Sequence, residues 1–267
     1  MTLWICSWRE NDNWNTVGGT MDKNNIYDTN KAYWNDKGND FLGAVTLPNL
    51  GAFITDEKHN LFGDVTGKTM LEIGCGNGKS LVYNAERNAA ELWGIDISEN
   101  QLANAKQNLT ESGFSAKLIC SSMDEECGIP QNYFDIVYSI YAIGWTVDLE
   151  ETFKRIASYL KKDGVFIFSW THPIHKCVIS ENDKIVFNNS YFDEEWRPVA
   201  ADFCGGELKL ANRKISTYIN ALANAGFHIE NMIEETDEQM IAPHDNSDFA
   251  RKARMYPVTF VIKARKL

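Results

Sequence analysis

The stretch MLEIGCGNGKS, residues 70–80, sets glycines at 74, 76 and 78 directly behind an apolar run. Glycine accepts positive φ and lets a ligand approach the main chain, at a cost of about 0.5–1 kcal/mol where regular structure would have suited. Gly74, Gly76 and Gly78 therefore suggest a bound molecule, although a tight connection with no ligand would use them too. GxGxG is not the GxGxxG of a dinucleotide pyrophosphate turn, and GNGKS falls one residue short of a GxxxxGK[ST] phosphate loop. Lys79 and Ser80 thus read as the first turn of a helix. Asp96 closes the next apolar run, LWGIDIS. A carboxylate there can accept both hydroxyls of an adenosine ribose, each charged hydrogen bond contributing about 1.5–3 kcal/mol. It can also cap the helix that follows. Asp124, in CSSMDEE, lies within reach of an exocyclic amine on an adenine.

These residues need a frame. KTMLEIG, ELWGIDI, SAKLICSS, FDIVYSIYA and GVFIFSW read as buried strands, and GKSLVYNAERN and SENQLANAKQNLTESG as helices between them. Gly113 fits the C-cap of the second helix. DLEETFKRIASYLKKDG carries Leu149, Phe153, Ile156 and Leu160 on one stripe. Asp148 and Glu151 suit its start, and Lys161, Lys162 and Gly164 its end. KISTYINALANAG predicts a further helix, with FHIENMIEE and YPVTFVIKARK as two last strands. Strand and helix alternating in this way imply right-handed crossovers and a mostly parallel, doubly covered sheet. Ligands of such sheets bind beyond the carboxyl ends of the strands, where the glycine turn falls.

Composition restricts the partners. With 26 basic against 37 acidic residues the net charge is −11, the wrong sign for binding a phosphate backbone, so a nucleic-acid partner is disfavoured. No apolar run approaches the roughly 18 residues of a membrane span, and Arg9 falls too early for a secretory core, which makes cytoplasm the default. The six cysteines form no CxxC pair, so no metal site is expected. Residues 1–20 read as a polar extension of unassigned role, 21–60 as a lid segment, and 61–267 as the main domain with an insert at about 174–212.

EIGCGNGKS, GIDIS, SSMDEE, FDIVYSIYAIGW and LKKDGVFIFSWTHP, in this order, resemble the class I S-adenosylmethionine-dependent methyltransferases of the small-molecule (type 11) kind. The likeness covers about residues 60–267. It implies a Rossmann-like seven-stranded sheet, last strand antiparallel, and S-adenosylmethionine as methyl donor. By resemblance, Gly74, Gly76 and Gly78 touch the methionine part and ribose, and Asp96 with Ile97 holds the ribose. Met123 and Asp124 face adenine, Glu72 supports the glycine turn or the methionine amine, and Ser139 lines the sulfonium through its backbone.

Methyl transfer from a sulfonium is an in-line displacement, so positioning can supply most of the acceleration, equivalent to about 7–11 kcal/mol. His172, in SWTHPIH just beyond the fifth strand, is the candidate general base, since histidine titrates near neutral pH. It can instead shape the turn, and His175 is a weaker candidate. Tyr33, Trp34, Trp145 and Tyr191 are expected to line a pocket for a small-molecule acceptor, where aromatic faces also attract cations. A non-catalytic protein that binds the donor or S-adenosylhomocysteine is the rival reading. An NAD-dependent oxidoreductase is a weaker one, given the glycine spacing. The sequence does not indicate an oligomeric state.

Overall fold

The structure, a computed structural model, describes residues 22–37, 45–181, 184–200, 207–245 and 247–267. The polar extension, residues 1–20, lies outside them. Helix α1 (Lys23–Lys37) precedes a hairpin of β1 (Asn49–Gly51) and β2 (Ile54–Thr55) and the short α2 (Asp56–His59). The alternation then runs β3 (Thr69–Ile73), α3 (Lys79–Glu86), β4 (Glu91–Asp96), α4 (Glu99–Glu111), β5 (Lys117–Cys120), β6 (Phe134–Ile140), α5 (Leu149–Tyr159) and β7 (Leu160–Thr171). Two hairpins follow, β8 (Val178–Glu181) with β9 (Lys184–Phe187) and β10 (Trp196–Ala200) with β11 (Glu207–Ala211). The chain ends with α6 (Ile215–Asn224), β12 (Phe227–Ile233), α7 (Asp248–Ala253) and β13 (Thr259–Lys266).

Seven strands form one sheet in the order β12-β13-β7-β6-β3-β4-β5. Only β13, the last in sequence, runs against its neighbours, pairing antiparallel with both β7 and β12. Each central strand is apolar on both faces, as a doubly covered sheet requires. In β7, Phe166, Phe168 and Trp170 join the core under α5 and α6, with Phe153, Ile156, Tyr218 and Leu222. Val165 and Ile167 point to the opposite core, with Leu81 of α3 and Leu109 of α4. The strand order reverses between β3 and β6, so the glycine turn behind β3 opens at the switch point where such sheets hold ligands.

Cap chemistry fixes the helices beside that point. Ser98 Oγ accepts from Gln101 N at the start of α4. At its end Gly113, at φ +79°, lets Gly113 N bond Thr110 O and Phe114 N bond Leu109 O. That is the double bond pattern of a Schellman cap. Asp148 caps α5 through Glu151 N at 3.1 Å. The stripe of α5 is shorter than its spacing predicts. The helix stops at Tyr159, and Leu160 already pairs with Phe134 as the first residue of β7. Asp163, at φ +62°, takes the left-handed position expected of Gly164. A period read from apolar residues cannot see that Leu160 stays buried by entering the sheet.

Four elements are absent from the sequence reading: β1 and β2 of the first hairpin, α2 and α7. Ala52 and Phe53 of the hairpin turn pack with Ala250, Ala253 and Val258 in a small cluster of their own. No helix of the described residues is long and apolar enough to cross a membrane.

Candidate active site

One cleft opens beyond the carboxyl ends of β3, β4, β6 and β7, roofed by residues of α1 and the insert. Its floor on one side is the glycine turn. Gly74 and Gly76 take φ of +70° and +49°, and both line the cleft. At Gly76 a Cβ would meet nothing nearer than Gln101 Oε1 at 3.7 Å, so the space before this main chain is open. Gly78 differs. A Cβ there would stand 2.8 Å from Ala105 Cβ, so this glycine is needed where α3 and α4 approach, and it does not reach the cleft.

Asp96 joins the two turns. Its Oδ2 accepts from Gly76 N at 2.8 Å and its Oδ1 from Ser98 N at 2.9 Å. Burial raises its pKa, and the bonds from Ser98, Gly76 and Ile97 N–H groups oppose the rise. Both sequence alternatives hold in part: the carboxylate lies on the cleft wall and also satisfies the first backbone donor at α4. A consequence follows for Gln101. In a Ser-x-x-Gln capping box the glutamine amide would return to Ser98 N. Asp96 already holds that donor, so the Gln101 side chain turns to the cleft. Its Nε2 is buried and has no hydrogen-bond partner among the described residues.

Glu72 is 3% exposed at the cleft floor, with Tyr138 Oη 3.4 Å from its Oε2. Burial pushes its pKa well above the usual carboxylate value, against the hydrogen bonds of Tyr138 and Ser80, and Asp96 adds to the rise. A buried acid with no cation bonded to it among the described residues suits a ligand that brings one. Ile97 and Met123 complete this half of the wall. Asp124, beside Met123, does not reach it. It accepts from Tyr27 Oη, from Ser122 Oγ at 2.5 Å and from Asp148 N at 3.3 Å. Tyr27 itself lines the cleft, its hydroxyl pKa raised by burial first and then by Asp124. Asp124 is thus a tie between α1 and the strand ends. Ser139 is fully buried, its Oγ donating to Ile73 O at 2.9 Å. The wall is built instead by Ile140 and Tyr141, because β6 runs to Ile140 before it turns.

The other half is aromatic. Trp145 stands edge-on to Trp34 at 5.5 Å and to Trp170 at 5.4 Å, and Trp170 lies 5.7 Å from Tyr141. All four rings line the cleft. Tyr141 holds φ +53°, a conformation that bulky residues rarely adopt, fixed by Tyr141 Oη to Thr259 Oγ1 at 2.6 Å. Tyr33 and Tyr191 do not line it. Tyr33 packs on Leu208 behind Trp34, and Tyr191 Oη accepts from Ile215 N at the start of α6.

His172 is also turned away. Its Nδ1 accepts from Ile174 N at 3.2 Å, capping the short helix Pro173–Cys177, and its Nε2 meets Glu234 Oε1 at 2.7 Å. One ring nitrogen is spent on the turn and the other on Glu234, just after β12, and the imidazole does not reach the cleft wall. Three residues on, His175 does reach it, together with Lys176 and with Phe249 of α7. His175 Nδ1 is 3.3 Å from Tyr256 Oη. Burial, then Lys176, Lys252 and His172, hold its pKa well below 6.5. The His172-Pro173 pair signals the turn, but the reach of His175 depends on α7, for which no periodicity was visible.

Helix α1 is fastened over this cleft by polar ties. Asn30 Nδ2 donates to Lys209 O at 3.0 Å and Asn30 Oδ1 accepts from Lys209 N at 2.8 Å, which mimics a ladder pair on β11. Asn35 Oδ1 accepts from Ser98 Oγ at 2.7 Å, and Lys31 pairs with Glu99 at 2.7 Å. The N-terminal segment therefore rests on the same α4 start that Asp96 organises.

The open main chain at Gly76, the buried acid Glu72, the ribose-competent Asp96 and the orphaned Gln101 amide together fit a nucleoside carrying an amino-acid ammonium. The comparisons agree. A methyltransferase-domain family model matches residues 71–168. An uncharacterized protein of Haemophilus influenzae is 30% identical over 221 residues, covering 78% of this chain and 85% of that one. Aklanonic acid methyltransferase DauC of a Streptomyces species is 31% identical over 139 residues, 51% of this chain and 60% of that protein, so the chain spans less than two thirds of it. The crystal structure of an S-adenosylmethionine-dependent methyltransferase from Mesorhizobium loti superposes with a TM-score of 0.67 at 25% identity, over 81% of this chain and 99% of the other. With these matches, the strand order and the glycine–acid pair behind β3 and β4, the chain belongs to the class I S-adenosylmethionine-dependent methyltransferases.

Proposed function

We propose that this methyltransferase acts on a small-molecule acceptor held against the aromatic half of the cleft. The observation that carries the reading is the division of one cleft into two unlike halves. Main chain and carboxylates form the side toward β3 and β4, and indole and phenol rings form the side toward β6 and β7. In this reading Asp96 takes the ribose hydroxyls, Glu72 the methionine ammonium, and the Gly74–Gly76 main chain the amino-acid end. Ile97 and Met123 flank the base, and Gln101 Nε2 adds a donor near the sugar.

When bound, the sulfonium supplies a methyl group already activated for transfer. The chain's own contribution is placement and exclusion of water: the Trp34–Trp145–Trp170 wall orients the acceptor, and α1 with the insert closes over it. The roof argues against a polymer substrate, as does the net charge of −11. Calorimetric titration with S-adenosylmethionine, followed by a metabolite screen with methyl-tritiated donor, tests the proposal. Tight donor binding and label in a low-molecular-weight product are expected. Donor binding with no label in any metabolite pool would leave a sensor in place of an enzyme.

A further inference from the structure

Trp145 joins the acceptor wall from a turn too short to hold itself. Ile143–Trp145 is one turn of 3-10 helix, closed by Trp145 N to Ala142 O at 3.0 Å and Thr146 N to Ile143 O at 3.3 Å. Bonds in such turns are poorly aligned, so they define the backbone only loosely. The firmer grip comes from the far end of the insert. Arg213, two residues past β11, is buried, with Nη1 donating to Gly144 O at 3.1 Å and Nη2 to Thr146 O at 2.5 Å. These two carbonyls bracket Trp145. The guanidinium fork is planar and always charged, so it fixes the two peptide groups together, in spacing and in tilt. The Trp196 ring of β10 lies 5.3 Å from the guanidinium carbon and backs the fork.

Gly144 passes the grip to a second ring. A Cβ there would stand 1.9 Å from the Trp170 indole, so the clamped main chain is the seat of that side chain. Resting on the methyl-transfer reading above, we infer that Arg213 is a positioning residue for Trp145 and Trp170, and thereby sets where an acceptor sits before the donor's methyl group. Arg213 does not itself line the cleft, so it acts only through these rings. Its neighbours serve the same frame. Lys209 N and O bond Asn30 of α1, Leu210 lines the cleft, and Asn212 Nδ2 donates to Pro173 O at 3.1 Å, at the turn that carries His175. Residues 209–213 therefore tie α1 and both wall turns to one strand end, and the insert acts as the template of the acceptor half.

The test reads the rings themselves. The full chain is labelled with 5-fluorotryptophan, and fluorine NMR spectra assign Trp145, Trp170 and Trp93 by the signal lost when each is changed to Phe. In Arg213→Met the Trp145 and Trp170 signals should shift or broaden, while that of Trp93, on β4, stays in place. Equilibrium dialysis with saturating S-adenosylhomocysteine should show naphthalene bound about fivefold or more weakly than by the wild type, with S-adenosylhomocysteine affinity held within about twofold. Arg213→Lys keeps the charge but reaches one carbonyl at a time, so its Trp145 signal should fall between the two. Ring signals and naphthalene affinity unchanged in Arg213→Met overturn the positioning role. So does a loss of S-adenosylhomocysteine affinity equal to the naphthalene loss, which marks a general destabilisation, and so does an Arg213→Lys chain whose Trp145 signal matches the wild type. Failure of the wild type to bind S-adenosylhomocysteine refutes the donor reading instead, and the ring signals still decide whether Arg213 holds Trp145.

Discussion

Asp96→Asn separates two duties that one carboxylate performs here. The aspartate oxygens accept backbone N–H groups at both turns, Oδ2 from Gly76 at 2.8 Å and Oδ1 from Ser98 at 2.9 Å. An amide of the same shape offers one oxygen and one NH2, so either Gly76 N or Ser98 N must face a donor. Leaving one buried donor unsatisfied costs about 1–3 kcal/mol. The neutral amide also relieves the burial that raises the Asp96 pKa, which sets the lower end of that range as the better guide. For a chain of this size the loss corresponds to a fall in Tm of roughly 2–12 °C. Replacement by alanine empties both bonds and is expected to fall further, so donor affinity in Asp96→Ala cannot be read without a melting curve.

The second duty is to the ligand. Removal of a charged acceptor from the ribose hydroxyls costs about 1.5–3 kcal/mol, a loss of roughly 10- to 150-fold in donor affinity. Calorimetry of S-adenosylhomocysteine binding at a temperature well below the variant's Tm measures that term alone. Ser98→Ala serves as the control, because it removes the α4 cap and the Asn35 tie but leaves the carboxylate. A lowered Tm with unchanged affinity would make Asp96 a strut between two turns and remove it from the binding site. A lowered affinity with unchanged Tm would refute the strut.

Four further outcomes follow from the geometry. Gly78→Ala places a Cβ 2.8 Å from Ala105 Cβ at φ +74° and should destabilise by about 2 kcal/mol or more, with little effect on donor affinity below its Tm. Gly76→Ala has open space but is strained at φ +49°, so it should cost about 1–2 kcal/mol of stability and, unlike Gly78→Ala, also weaken donor binding measured below its Tm; paired melting and binding curves decide it. Asn30→Ala strands the buried N–H and C=O of Lys209, and should loosen α1 by about 2–3 kcal/mol. Hydrogen exchange would then rise in residues 23–37 without change in β3, β6 or β7, and equal protection would refute the tie. His175 has a depressed pKa when folded, so the unfolded chain binds more protons and stability falls as pH drops below 6.5 toward the folded value. The groups facing it are Lys176, Lys252 (itself paired with Asp248 at 3.0 Å), His172 and Tyr256. Glu72, raised by burial, has the opposite slope, so the comparison is made as wild type minus His175→Gln. Denaturant melts at pH 7.5 and 5.5 should show a smaller acid loss in the variant, and an equal loss refutes the assignment.

The sheet was readable because a strand covered on both faces leaves a continuous apolar run, as GVFIFSW does, and because Ser98 and Gly113 mark both ends of α4. The donor half was readable for a related reason. Gly74, Gly76 and Asp96 were placed there by strand-end topology and Glu72, Ile97 and Met123 by the family resemblance, and all six line the cleft. The acceptor half was not. Trp34 and Trp145 are on the wall as expected, but Trp170, Tyr141, His175 and Phe249 reach it through the positive φ of Tyr141, the cap made by His172 and the docking of α7. Each of these depends on contacts between segments distant in sequence, so no local pattern encodes them.

The three glycines of the opening motif make the same point at closer range. A tight, ligand-free connection was the alternative to what their spacing suggested, a ligand against bare main chain. Gly76 meets that description, with 3.7 Å of clearance to the nearest atom. At Gly74 a Cβ would lie 2.3 Å from Ala142 Cβ, so this glycine is required by the strand-end loop across the switch point as well as by its left-handed φ. Gly78 answers only to Ala105 on α4. A motif that holds for one ligand is therefore also a packing code: the close approach of α3 to α4 sets where Asp96 can reach Gly76 N, and a larger residue at position 78 would move the carboxylate before it ever met the donor.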